Sequence, residues 1–107
     1  MMTTKTKAVF PRRMRVGQKM YSVEVVEALI EKNCVGRTHY AERSIQIAMK
    51  HPSSGRYLAD AEIRDTFWHE LTHAVLEDMG RHNLNRNEEF VKEFAHRLSR
   101  AIDSARF

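Results

Sequence analysis

Asp60-Ala61-Glu62-Ile63-Arg64-Asp65-Thr66-Phe67-Trp68-His69-Glu70-Leu71-Thr72-His73-Ala74-Val75-Leu76-Glu77-Asp78-Met79 is the stretch whose reading decides the fold. Ile63, Phe67, Leu71, Ala74, Val75 and Met79 recur in it at spacings of three and four, the period of a helix that turns one apolar stripe to a core. Gly80 follows as the expected terminator, because a residue without Cβ tolerates the left-handed conformation that ends a helix. Downstream, Phe90, Val91, Phe94, Ala95, Leu98, Ala101 and Ile102 repeat the period and predict a second helix from about Asn87 to Ser104.

Upstream the pattern changes. His51-Pro52-Ser53-Ser54-Gly55 concentrates turn-forming residues and separates the helices from a strand region. Arg43-Ser44-Ile45-Gln46-Ile47-Ala48 alternates polar and apolar, which predicts a half-buried strand. From Met14 to Val26, strand-favouring side chains (Val16, Met20, Tyr21, Val23, Val25, Val26) flank a turn region at Gly17–Ser22, predicting two antiparallel strands. Ala28–Lys32 reads as a short helical turn, and Asn33–Thr38, with Gly36 inside it, as a break. The expected class is α+β: a small antiparallel sheet of about three strands, then the Asp60–Met79 helix and a C-terminal helix.

The chain has 107 residues, enough for one modest core, so a single domain over residues 9–107 is expected after a disordered basic tail at residues 1–8. Apolar stretches are far shorter than the roughly 18 residues a bilayer needs, and the Met-Met-Thr-Thr-Lys start lacks a signal-like apolar region. A cytoplasmic protein with no membrane partner is expected. The single Cys34 excludes a disulfide scaffold or a Cys-rich zinc finger and reads as a small hydrophobe. Of 18 basic side chains, Lys5, Lys7, Arg12, Arg13, Arg15 and Lys19 fall in the first twenty residues, where there is no acid. The rest of the chain is slightly acidic, so a nucleic-acid role is open only for the basic arm.

His69-Glu70-Leu71-Thr72-His73 carries the chemistry. On a helix the two histidines stand on one face with Cβ atoms roughly 6 Å apart, so both imidazoles can converge on one ion. Glu70, displaced by about 100°, can reach a metal-bound water without itself binding the metal. Asp65 and Glu77 extend the stripe at spacing four and are candidates to orient the imidazoles. A third ligand must come from elsewhere, and the second helix supplies candidates. Glu88 lies about 90° from the centre of its apolar face, Glu93 about 130° and Glu89 about 170°, which favours Glu88. His39, His82, Tyr40 and Tyr57 are candidate donors to a developing oxyanion. His96 is expected in solvent, and Phe67 and Trp68 in the core.

The run from Thr66 to Leu76 resembles the active helix of small zincin metallopeptidases of the bacteriophage-encoded kind, related to the ImmA/IrrE-like group. Gly36-Arg37-Thr38 followed by Ile45-Gln46-Ile47 is similar to the Gly-x-Thr and strand pattern that precedes the helix in those proteins. Glu88-Glu89-Phe90-Val91-Lys92-Glu93-Phe94-Ala95 resembles their Glu-x-x-Ala-Asn-x-Phe-Ala segment, with Val91 and Lys92 where that segment has Ala and Asn. The resemblance implies that Glu88 is the third zinc ligand.

The expectation is therefore a Zn2+-dependent metallopeptidase acting on a protein or peptide substrate. His69, His73 and Glu88 are its ligands, Glu70 its general base, and Ser44–Ala48 the strand edging the cleft. The alternative is a zinc-containing, noncatalytic binding or regulatory protein that acts on a host or DNA-associated partner.

Overall fold

The computed structural model describes residues 10–29 and 34–107. The expected tail at residues 1–8 and most of the turn expected at Ala28–Lys32 lie outside them, and the described Ala28 and Leu29 are not helical.

β1 (Arg13–Val16) and β2 (Lys19–Val26) pair antiparallel, with Arg13 opposite Ser22 and Val16 opposite Lys19. Gly17 makes the turn at φ +61°, and a Cβ there would overlap the Asp78 carboxylate, so the hairpin closes tightly against the end of the first helix. β3 (Gly36–His39) and β4 (Ser44–Ala48) form a second antiparallel hairpin, in which Gly36 faces Ile47 and His39 faces Ser44. β4 also pairs parallel with β2, from Ser22 opposite Ser44 to Val26 opposite Ala48. The sheet order is β1-β2-β4-β3.

The class is α+β with a C-terminal helix, as expected, and two details of the strands differ. The sheet has four strands and is mixed, where about three antiparallel ones were expected. Part of Asn33–Thr38, expected to break the pattern, is β3. Gly36-Arg37-Thr38-His39 has no apolar alternation of its own; its extended form comes from the ladder to β4, a long-range pairing that local pattern does not report.

α1 (Asp60–Asp78), α2 (His82–Asn85) and α3 (Glu88–Ser104) follow. The Glu62 carboxylate accepts the Ala59 N–H at 2.8 Å at the start of α1, and Gly80 ends the segment at φ +73°. The short α2 was not foreseen. The inward side chains of the strands, Val16, Tyr21, Ile45 and Ile47, pack with Met49, Leu58, Ile63, Phe67 and Ala74 as one core.

α1 touches the sheet on one side and α3 on the other, so its buried positions are not a single stripe. Ile63, Phe67 and Ala74 are buried as expected, whereas Val75 and Met79 are exposed and Thr66, Glu70, Thr72 and Leu76 are buried. α3 is corrected in the same way: it buries Val91, Ala95 and Ser99, while Phe94 and Ile102 stand 46% and 45% exposed. Small residues at Ala95 and Ser99 let α3 approach α1 closely, and that narrow seam leaves the larger side chains at its margin. No helix among the described residues is long and apolar enough to cross a membrane.

Candidate metal centre

His69 and His73 stand one turn apart on α1, with ring centroids 4.9 Å from each other. Glu88 is the first residue of α3, whose start is fixed by Asn87: its side-chain oxygen accepts the Phe90 N–H at 3.1 Å. From there Glu88 Oε1 reaches His69 Nε2 at 3.2 Å and Oε2 reaches His73 Nε2 at 3.1 Å. One ligand atom from each of the three residues lies within 4.8 Å of the others, a group that could hold a metal ion. Of the competing carboxylates, Glu93 pairs with Arg97 at 3.0 Å and Glu89 is exposed.

His73 is held from behind. Its Nδ1 donates to Asn85 Oδ1 at 2.6 Å, and Asn85 Nδ2 donates to the Tyr40 hydroxyl at 3.1 Å. This aims the other ring nitrogen, Nε2, at the Glu88 carboxylate. A ring oriented from its far nitrogen in this way is one that could serve as a metal ligand together with His69 and Glu88. Asn85, buried on the short α2, is a site residue that sequence reasoning missed; nothing in its local pattern distinguishes it from the other asparagines of the same loop.

Glu70 is buried and turns towards β3. Thr38 Oγ1 lies 2.6 Å from its Oε1 and 3.0 Å from its backbone carbonyl, and the single hydroxyl proton favours the shorter contact, to the carboxyl. Gly36 closes the other side: a Cβ there would stand 2.5 Å from Thr66 Cγ2 and 2.9 Å from Glu70 Oε2. Gly36 was read as part of a break and, with Thr38, as part of a resemblance; the geometry gives both a physical task.

Two supporting assignments are corrected. Asp65 does not orient His69; it binds His96 Nδ1 at 2.8 Å and Arg100 at 2.7 Å. Glu77 lies 3.5 Å from His82 rather than behind His73. Both carboxylates turn to a side chain on a neighbouring element, which helical spacing alone does not specify. Of the four candidate oxyanion donors, Tyr40 lines the cleft. His39 binds Gln46, His82 pairs with Glu77, and Tyr57 donates to Glu27. Burial raises the Tyr40 pKa, so the phenol keeps its proton; having accepted from Asn85, it can donate that proton elsewhere.

A cleft of about 750 Å³ opens over these groups, with β3 on one wall, α1 as its floor and α3 opposite. The expected edge strand, Ser44–Ala48, is interior; β3 is the edge beside the cleft. His96 is exposed as expected, yet it also lines the cleft. No family model, curated protein or solved structure matches the chain.

Proposed function

We propose that the chain is a zinc-dependent metallopeptidase. The observation that carries the reading is the convergence of His69, His73 and Glu88 within 4.8 Å beside a buried Glu70. Two imidazole nitrogens and one carboxylate oxygen are the donor set of many catalytic zinc sites, which keep a fourth position open. Zinc held there supplies a Lewis acid that polarises a peptide carbonyl and brings the pKa of a water towards about 7. Glu70, fixed by Thr38, accepts the proton of the attacking water and delivers it to the leaving amine. Tyr40 donates its hydroxyl to the oxygen that gains charge. β3 ends the sheet among the described residues, and its outer edge offers backbone groups to an extended peptide, which adds as a further strand.

The test joins metal content to turnover on an unfolded protein substrate. Wild type is expected to hold about one zinc per chain and to cleave. Glu70→Gln is expected to keep zinc and fold while losing at least about a hundredfold in rate, because an amide cannot take the proton. Equal, robust cleavage by both removes Glu70 as the base; inactivity of both against a broad panel of proteins removes the peptidase reading.

A further inference from the structure

α3 contributes more to the cleft than Glu88. Lys92 and His96 follow it at successive spacings of four, so the three share a helix face, and all three line the cleft. Asp65 fixes the His96 ring through Nδ1 and turns Nε2 away from itself, while Arg100 shares the Asp65 charge. Lys92 is exposed and has no ion-pair partner among the described residues. Glu70 is engaged by Thr38 and Glu88 by the two imidazoles, so the cleft's carboxylates are occupied whereas the Lys92 ammonium is not.

We propose that Lys92 and His96 form a carboxylate-binding subsite that makes the cleft select peptides with an acidic group on the C-terminal side of the cleaved bond. The proposal rests on the peptidase reading above and names its substrate class. Lys92 supplies the charge, and His96, held by Asp65 through Nδ1, supplies an Nε2–H when it is an imidazolium.

The direction follows from how the elements run. Gly36 lies against Thr66 and Glu70, whereas Tyr40 reaches the Asn85 that holds His73, so β3 runs along α1 in the same sense. α3 runs the opposite way, with Glu88 at His73 and His96 back at Asp65. A peptide added antiparallel to β3, the pairing that is more stable per residue, therefore leads with its C-terminal half towards Lys92 and His96. Four helical residues rise about 6 Å, so these two side chains stand roughly 6 and 12 Å along α3 from Glu88. At about 3.4 Å per extended residue, the carboxylate belongs two or three residues beyond the cleaved bond.

The test uses three N-terminally blocked alanine–glycine peptides, the first two also amidated at the C-terminus. One has Glu at the third residue after its central bond, one has Gln there, and one ends there in a free carboxylate. Binding to zinc-loaded Glu70→Gln protein is followed by fluorescence anisotropy, and cleavage by wild type by mass spectrometry. The Glu peptide is expected to bind about three- to tenfold more tightly than the Gln peptide, with the difference shrinking in high salt. A gain for the third peptide as well assigns the subsite to chain ends in addition to side chains. Lys92→Gln should erase the preference, and Lys92→Glu should turn it towards a Lys-containing twin, at unchanged zinc content. Equal binding of Glu and Gln peptides, no binding of any peptide, or a preference that survives Lys92→Glu overturns the subsite. A Glu preference in binding without cleavage of any peptide overturns the peptidase reading and leaves the subsite standing; cleavage without preference does the reverse.

Discussion

At the scale of single residues, the site depends on side chains that hold other side chains. Asn85 holds the His73 ring through Nδ1, and such partners of metal ligands typically govern metal affinity by about ten- to hundredfold. Asn85→Ala is therefore expected to weaken zinc binding by about that factor in a competition assay with a chromophoric chelator; unchanged affinity would show that Nε2 is presented without its help. Glu88→Ala is expected to lose stoichiometric zinc and Glu89→Ala to keep it, since Glu89 faces solvent and neither change opens a large core cavity. Comparable losses in both would place the third ligand elsewhere. The convergence of His69 and His73 with Glu88 was legible in the sequence because it follows from helical spacing within two segments. Thr38 and Asn85 were not, because their partners lie 32 and 12 residues away and are met only across the fold.

At the scale of elements, α1 and α3 were legible because each is long and periodic, but their buried faces were not. α1 gives buried positions to Thr66, Glu70 and Thr72, polar residues that an apolar count passes over. Local composition gave no sign of β3, whose strand is defined by β4. The α1–α3 seam also carries charge: Arg64 meets Asp103 at 3.1 Å, and Asp65 meets Arg100 and His96. Burial works to raise the Asp65 pKa, but the hydrogen bonds from His96 and Arg100 outweigh it and hold the carboxyl below its ordinary value. With a folded-state pKa depressed, the stability that Asp65 contributes is present above its unfolded pKa of about 3.9 and lost as pH falls through the lower folded value. Urea midpoints measured from about pH 5 down to 2 should thus fall more steeply for wild type than for Asp65→Asn. Parallel curves would remove Asp65 from the acid limb.

At the scale of the whole molecule, the candidate ligands tie the two long helices together: His69 and His73 belong to α1, and Glu88 to α3. An ion that binds the folded chain and not the unfolded one stabilises it by mass action, about 4 kcal/mol at a thousand times its Kd. For a chain of this length that corresponds to a rise in Tm of more than about 10 °C, measurable by calorimetry with zinc against excess chelator. His73→Ala should show little of this rise, and an equally large rise in that variant would place the stabilising ion at another site.

Gly36 has a consequence for how such centres can be found. Its contribution is empty space: the lack of a side chain lets the backbone of β3 lie against Glu70. Space of that kind leaves no mark in hydropathy or charge, and a search for ligands alone passes over it. A query that couples the histidine pair to a glycine and, two positions later, a hydroxyl on a distant strand asks for a buried glutamate with its cover already fitted. It should separate chains that merely carry the helix motif by chance from those whose fold brings an edge strand over it.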